Sequence, residues 1–380
     1  MGFSSTTNSS ERDALVERAL EAAPFGALAH LDFPAASAYP PVEVYDPQVE
    51  EVSMEAMEHM GQGLIDAVRA AWPQVLCEGR VSRSLVRMEL LNSRGCQASY
   101  RKATFNIHIE GVLIEDTDML FVSESQSSCH PIADITLLKE SVLLQLERAS
   151  RIAKVPTRTM PVVFTPHGLA GVLLGPLLSG LNGKMVLRGT SPLAGRLGER
   201  VADERISLWD DPTQPFVPGS RICDDEGVPS RVTPLLKDGV AANFLYDLQT
   251  AAQAGALTTA SAERSLGSLP SPAPGVLYFA PGDASWEDML SDMGEGLVVE
   301  RLLGAGQGNT LGGDFNANVL LGYYVEKGRV VGRAKDVMVS GNVYQVLNTI
   351  AGVGKETHWV WGFLNAPHLY CSGVAVAAKR

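Results

Sequence analysis

Apolar residues recur at helical spacing in two segments of the first third of the chain. One is residues 11–23 and the other is residues 53–72, where Pro73 ends the pattern because proline cannot continue a helix. The stretch between them, residues 24–47, is rich in proline and alanine and is typical of an arm or linker. The pattern therefore predicts two helices joined by an irregular segment.

Beyond residue 80 the spacing changes from helical to alternating. Polar and apolar residues alternate over residues 81–90, 98–110 and 118–125, with a turn at residues 92–95. A period of two predicts antiparallel strands with one face exposed to solvent. An amphipathic pattern over residues 135–153 then predicts a long helix, which completes an α+β unit.

The pattern changes again after residue 161. Short β-branched runs alternate with turns, and glycines mark the turns at Gly239, Gly255, Gly275, Gly282 and Gly328. This pattern favours a β-rich second domain. The predicted fold class is α+β, with a helix and linker over residues 1–45, an α+β domain over 46–157 and a β-rich C-terminal domain over 158–380.

Composition agrees with this organisation and excludes some functions. The length of 380 residues exceeds what one core usually holds, and 45% of the residues are hydrophobic. Acids outnumber bases by 43 to 31, which argues against a nucleic-acid partner. The N-terminus lacks a secretory pattern, the longest apolar run is too short for a membrane helix, and the five cysteines are scattered. We therefore expect a soluble cytoplasmic protein with reduced thiols.

Residues 171–180, GVLLGPLLSG, follow a short apolar run, residues 161–164, that predicts a strand. Enzymes often place catalytic groups after a strand and a turn, yet this segment carries no acid, base or thiol. Proline is tolerated in the first turn of a helix and not deeper inside. We therefore expect the helix of this segment to begin close to Gly175.

Few residues carry obvious chemistry. Zinc peptidase motifs of the HExxH or HExxxH type are absent from the sequence. His167 follows a proline in a predicted turn, which favours a capping or surface role over a ligand role. The acidic turn at residues 224–227 is more typical of structure than of a divalent-cation site. The GxGxG at residues 304–308 lacks a following helix and a lysine, which favours a flexible loop over a nucleotide site.

An ordered series of motifs resembles the TldD/PmbA family, once called modulators of DNA gyrase. The resemblance covers roughly residue 46 onward. The motifs are DDEG at 224–227, LKDGV at 236–240, FLYD at 244–247, AAQAG at 251–255, GDF at 313–315, GYYVEKG at 322–328 and SGN at 340–342. The resemblance implies one of two subunit types: TldD, a zinc metallopeptidase with HExxxH on a helix and a distant cysteine, or TldE/PmbA, which has the same fold without the metal site.

The lead-in at residues 171–174 is similar to the lead-in of the peptidase motif. The resemblance then aligns Gly175 and Gly180 with the two histidines and Pro176 with the glutamate. The third ligand belongs in residues 304–313, where this chain has no cysteine. Glycine and proline side chains cannot donate a lone pair. The chain thus resembles TldE/PmbA, and we expect no cofactor in it, with zinc in a TldD-like partner.

The function that the resemblance implies is that of a non-catalytic subunit of a heterodimeric zinc metallopeptidase. Such a complex would degrade or process unfolded or short peptides in a cavity between its subunits. Glycine-rich strands with open edges, over residues 304–315, can pair with an extended peptide through backbone hydrogen bonds. The candidate peptide-binding residues are Asn309, Thr310, Gly313, Asp314 and Phe315.

Two departures from the family accompany this resemblance. The α+β domain is shortened, because only about 45 residues precede the matching segment, and a Ser-Thr-Gly turn appears as Thr258-Thr259-Ala260. An alternative function is a homodimeric peptide-binding or scaffold protein without a peptidase partner. A third is a metal-independent hydrolase that uses acids such as Asp224 or Glu226. The acidic composition gives no support to a gyrase or nucleic-acid partner.

Overall fold

The computed structural model describes residues 1–379. In this part of the chain the helices are α1 (Arg12–Ala22), α2 (Pro47–Glu51), α3 (Met54–Ala71), α4 (Thr136–Ala149), α5 (Pro166–Leu181), α6 (Gly183–Leu187), α7 (Leu248–Ala254), α8 (Trp286–Met293) and α9 (Val343–Val346). The strands are β1 (Leu76–Leu91), β2 (Gln97–Glu115), β3 (Asp118–Ser128), β4 (Ile152–Ala153), β5 (Arg158–Phe164), β6 (Leu208–Asp210), β7 (Thr233–Lys237), β8 (Val240–Ala241), β9 (Ala262–Glu263), β10 (Ser271–Pro272), β11 (Leu277–Phe279), β12 (Glu295–Leu303), β13 (Asp314–Glu326), β14 (Arg329–Ala334), β15 (Val337–Asn342), β16 (Ile350–Val360) and β17 (Leu364–Ala378). The predicted α+β class is confirmed.

The N-terminal sheet is antiparallel, in the order β1-β2-β3. Its inner face is formed by alternate residues of β2, so that Ala103, Phe105, Ile107 and Ile109 are buried. Helices α3 and α4 pack on the sheet, as the change from alternating to helical spacing predicts. One boundary prediction was wrong: the helix expected to reach residue 153 ends at Ala149. Residues Ile152–Ala153 form β4, which pairs with β14.

The large sheet is built around β5. It has the order β4-β14-β13-β12-β5-β17-β11-β6-β7-β8, with β15 beside β13 and β17, and β16 beside β17. Strand β5 runs parallel to β12 and antiparallel to β17. Glycine adopts the left-handed backbone in two tight turns, at Gly239 and Gly328, whose φ angles are 76° and 72°.

Two hydrophobic cores lie on opposite faces of the large sheet. Helix α5 covers one face, where its apolar residues join those of β5, β12 and β17. On the other face, residues of β2, α3 and α4 pack with Val298, Tyr323 and Val325 of the large sheet. The N-terminal sheet and helices therefore share a core with the C-terminal sheet, and the division of the chain near residue 157 stays a prediction.

Residues 1–43 lie outside both cores. None of the residues of α1 whose side chains are described is buried. The following arm runs over the rest of the molecule, with backbone or side-chain hydrogen bonds from His30 to Gln249, from Asn92 to Pro34 and from Phe216 to Glu43. Within residues 1–379, no helix has both the length and the apolar character needed to cross a membrane.

Candidate functional site

Helix α5 carries the segment that the motif resemblance aligns with the zinc motif, and it begins nine residues earlier than expected. The prediction of a start close to Gly175 was wrong, because the helix begins at Pro166, with Thr165 as its N-cap. The Thr165 hydroxyl accepts a hydrogen bond from the Gly168 amide at 3.3 Å. A threonine cap followed by proline at the first helical position is a strong start signal. Pro176 consequently lies inside the helix.

The two glycines of the motif have different surroundings. Gly175 is exposed, and a Cβ added there would meet nothing within 4 Å beyond its chain neighbours. Gly180 is buried, and a Cβ there would overlap the Tyr344 hydroxyl oxygen and lie 3.3 Å from the ring carbon Cζ. The space that a side chain at position 180 would need is therefore occupied by Tyr344.

Tyr344 also contacts the glycine-rich loop before β13. A Cβ at Gly313 would lie 2.5 Å from Tyr344 Cδ2, and the φ angle of Gly313 is 90°. The Tyr344 hydroxyl donates to the carbonyl oxygen of Pro176 at 3.0 Å. Burial raises the pKa of Tyr344 to about 12, so the hydroxyl stays protonated at neutral pH. One tyrosine thus fills the gap between α5 and the loop.

Asn342 holds the same loop from the side of β15. Its side-chain amide donates to the Gly312 carbonyl at 2.7 Å and to Asp314 Oδ1 at 2.8 Å. Its own Oδ1 accepts from the Tyr344 amide at 3.1 Å. The sequence SGN at 340–342 therefore fastens the loop and positions Tyr344.

The five candidate peptide-binding residues do not share one environment. Asn309 and Asp314 are exposed, and Thr310 is half-buried. Gly313 is buried beneath Tyr344, and the Phe315 side chain is 2% exposed within the core. Only the side chains of Asn309, Thr310 and Asp314 can contact a ligand without rearrangement of the core.

The expectation of strand structure over residues 304–315 is correct only at its end. Residues 304–313 form a loop with a 3-10 turn at Ala305–Gln307, and β13 begins at Asp314. Residues 314–317 pair with β15 on one side, whereas β12 reaches β13 only from Asn318 onward. In the part of the chain that is described, the start of β13 therefore has no strand on its other side.

His167 is not a surface residue, contrary to the prediction. Its side chain is 9% exposed. Arg301 Nη1 donates to His167 Nδ1 at 2.8 Å, and His167 Nε2 lies 3.1 Å from Glu124 Oε1. A guanidinium group only donates, so Nδ1 accepts and Nε2 carries the proton that is donated to Glu124. This network joins β3 to α5 and β12.

Glu124 is the acid of that network. Burial alone would raise its pKa, but the hydrogen bond from His167 and the charge of Arg301 hold the pKa of Glu124 below its ordinary value of 4.5. The Ser141 hydroxyl donates to its second oxygen at 2.8 Å. Glu124 is therefore ionised at neutral pH and compensates the charge of Arg301.

The acidic turn at residues 224–227 serves the backbone. Asp224 Oδ1 accepts from the amides of Glu226 and Val228 at 3.0 and 2.9 Å, and Oδ2 accepts from Ala262 at 3.1 Å. Burial raises the pKa of Glu226 to about 8. Among residues 1–379, no three His, Cys, Asp or Glu side chains are placed to share a metal ion. The turn thus has the structural role that its sequence favours.

Comparison with known proteins bears on this architecture. The profile of the PmbA/TldA metallopeptidase C-terminal domain matches residues 157–378, more than half of the chain. This chain belongs to the PmbA/TldA metallopeptidase family. The family resemblance that the motifs indicate is therefore confirmed.

Two curated proteins and one solved structure illustrate this similarity. A metalloprotease of Methanothermobacter thermautotrophicus is 28% identical over 282 residues, 72% of this chain and 61% of that protein. A metalloprotease TldD homolog of Haemophilus influenzae is 30% identical over 228 residues, 60% of this chain and 47% of that protein. The crystal structure of TldE from Thermococcus kodakarensis has a TM-score of 0.87 at 24% identity, covering 98% of this chain and 86% of that one.

The chain thus spans less than two thirds of the length of these two curated metalloproteases. The similarity to TldE shows a shared fold. A zinc ion needs side-chain donors at the positions that the resemblance aligns with the ligands. In this PmbA/TldA family member these positions do not fit a zinc ion, because Gly175, Pro176 and Gly180 offer no donor atom and Tyr344 occupies the space beside Gly180.

Sequence reasoning missed Tyr344. The residue follows the SGN motif at 340–342, and nothing in its local pattern connects it with a helix more than 160 residues earlier. A glycine at an aligned ligand position is a signal that another side chain fills the gap. Only the tertiary structure identifies which one.

Proposed function

We propose that this chain is a metal-free, non-catalytic subunit that pairs with a TldD-like zinc peptidase and helps to bind its peptide substrates. One observation carries the proposal. Helix α5 carries the three residues that the motif resemblance aligns with the zinc motif; these residues lack donors, and Tyr344 fills the space beside Gly180. Because Tyr344 fills the space that a ligand side chain at position 180 would need, the helix stays packed without a metal ion.

The contribution left to this chain is peptide binding at the start of β13. The Asp314 amide donates to the Asn309 carbonyl on the loop side. Backbone groups alternate in direction along a strand, so the amide and carbonyl of Asn316 point to the same side, away from β15. The loop with the 3-10 turn Ala305–Gln307 packs against this part of β13. An extended peptide can pair with this edge when the loop moves aside, without its sequence being read. The exposed side chains of Asn309, Thr310 and Asp314 border this edge.

The partner is tested by co-expressing the full chain with a TldD-like protein of the same genome. We expect a stable complex that holds one zinc ion per heterodimer and cleaves peptides, whereas this chain alone holds less than stoichiometric zinc and cleaves none. Metal analysis and a peptide-cleavage assay measure both properties. Stoichiometric zinc in this chain alone would contradict the proposal. Exclusive self-association in pull-downs from the native cell would favour the homodimeric scaffold.

The open edge is tested by replacing Asn316, whose side chain is exposed. Asn316→Pro removes the backbone donor on the open side and leaves the bonds to β15 in place. Loss of one or two such hydrogen bonds is expected to weaken peptide binding about five- to tenfold. Asn316→Ala is the control, because it changes the side chain and keeps the donor. Equal peptide affinity of the two variants would place the peptide elsewhere.

A further inference from the structure

A cleft of about 560 Å³ lies between the outer face of the N-terminal sheet and the loops of the C-terminal part. Its floor consists of two cross-strand pairs of β1 and β2, Val86 with Lys102 and Met88 with Tyr100. The opposite wall includes Arg221 and Phe363. Strands β1 and β2 bury their other face against α3 and α4, so this face is free to border a ligand.

The lining of this cleft includes the cations Lys102, Arg221 and Arg264 and the acids Asp225 and Glu263. Lys102 Nζ donates to the Ser220 carbonyl at 2.8 Å. Arg221 is 9% exposed, and its Nη1 donates to the Ala262 carbonyl at 3.1 Å. Its Nε and Nη2 have no hydrogen-bond partner within the described residues. Buried donors without partners are rare and costly in proteins.

The buried acids Asp210 and Asp224 attract Arg221, but within the described residues neither forms an ion pair or a hydrogen bond with it. Asp210 uses Oδ1 to accept from the amides of Gly275 and Val276, and burial raises its pKa to about 6 in spite of the arginine. Asp225, which lines the cleft, accepts from the Arg264 amide at 2.8 Å. In residues 1–379 none of these carboxylates forms an ion pair with Arg221 or Lys102.

The two cations also destabilise each other. Burial lowers the pKa of Lys102, and the charge of Arg221 lowers it further. Two like charges in a partly buried site favour the binding of an anion, because the anion relieves their repulsion. The cleft therefore has the electrostatic properties of an anion site in a chain whose formal charge is −12.

The walls indicate which anion fits. Met88, Tyr100 and Phe363 provide apolar and aromatic surface beside Lys102. Leu178 of α5 also lines the cleft. This residue lies two positions along the helix from both Pro176 and Gly180. A carboxylate joined to an apolar body matches this lining better than a fully hydrated inorganic anion.

We propose that this cleft binds the C-terminal residue of a peptide. Lys102 donates a hydrogen bond to the terminal carboxylate, and Arg221 supplies a second positive charge from behind. The apolar walls contact the side chain of that residue. The inference rests on the proposed peptide-binding function and adds the end of the peptide that is recognised. Charge-assisted hydrogen bonds are the strong ones, and their loss changes affinity about tenfold or more.

The test uses the full chain and an N-terminally fluorescent peptide that ends in leucine, as a free acid and as an amide. Fluorescence anisotropy is expected to show that the free acid binds about tenfold more tightly than the amide. Lys102→Met is expected to abolish that difference, and Lys102→Arg to retain it. Arg80→Met is the control, because Arg80 lies on β1 and pairs with Glu78 on the exposed surface.

The outcomes separate this inference from the proposed function. Equal binding of acid and amide to the unmodified chain would overturn the inference and leave the peptide-binding function in place. Binding of neither would overturn both. An amidated peptide ending in glutamate that binds as tightly as the free acid would show recognition of a side-chain carboxylate and contradict the proposal. Displacement by micromolar inorganic phosphate would do the same.

Discussion

Gly180→Ala is expected to lower the free energy of unfolding by about 1–3 kcal/mol, the range for overpacking a filled site. The added methyl group would overlap the Tyr344 hydroxyl, and Tyr344 cannot move aside because its ring is held against Gly313. Chemical denaturation of the full chain measures the change. The same crowding is expected to prevent Gly180→His from restoring a metal ligand, even combined with Gly175→His.

Two further variants make this prediction specific. Gly175→Ala is the matched control on the same helix, because its Cβ points into open space. Its helix-propensity gain of about 1 kcal/mol is offset by the strain of a side chain directly before Pro176, so we expect stability within about 1 kcal/mol of the unmodified chain. Tyr344→Phe removes the overlapping hydroxyl. Combined with Gly180→Ala, it is expected to restore part of the stability that Gly180→Ala alone loses. Equal stability of Gly180→Ala and Gly175→Ala would contradict the account of Tyr344.

Glu124→Gln is expected to destabilise the fold by about 3 kcal/mol at pH 7. Folding lowers the pKa of Glu124 below 4.5, and removing one partner of a buried ion pair costs about 3 kcal/mol. The variant leaves the charge of Arg301 without its acid in a site where both side chains are 18% exposed. Because the folded-state pKa is depressed, this stabilisation is fully present above about pH 5 and is lost as the pH falls toward 2.

The pH dependence provides the decisive measurement for Glu124. Unfolding free energies of the unmodified chain and of Glu124→Gln should differ most near pH 7 and converge as the pH falls from 5 to 2. Glu147→Gln on α4 is the control, because Glu147 is an exposed acid for which no such difference is expected. Parallel curves for the unmodified chain and Glu124→Gln over that range would show that Glu124 is not held by His167 and Arg301.

The N-terminal sheet shows how far a local pattern can be followed. Alternation over residues 81–90 and 98–110 predicts β1 and β2, and it indicates that one face is buried, as at Phe105 and Ile107. Short strands such as β4 and β9 were not predicted, because two residues cannot display a period. Their strand character comes from partners that are distant in sequence.

Helix α5 shows where the same reasoning fails. Both Pro166 and Pro176 satisfy the rule that a helix begins with proline, and the prediction chose the second. The helix begins at the first, because Thr165 caps it and eleven of its sixteen residues are buried, with β12 and β17 packed against it. A local rule with two candidate positions is decided by packing, which no local window contains.

By itself the sequence determined the α+β class, the long strands and helices, the family, and the absence of donor atoms at positions 175, 176 and 180. These are properties of residue type and spacing, which are read along the chain. The tertiary structure alone decided that Tyr344 fills the space beside Gly180, that His167 is buried between Glu124 and Arg301, and that Lys102 and Arg221 face one cleft. Each of these contacts joins segments more than 40 residues apart, and their meeting depends on the packing of the whole chain rather than on any local preference.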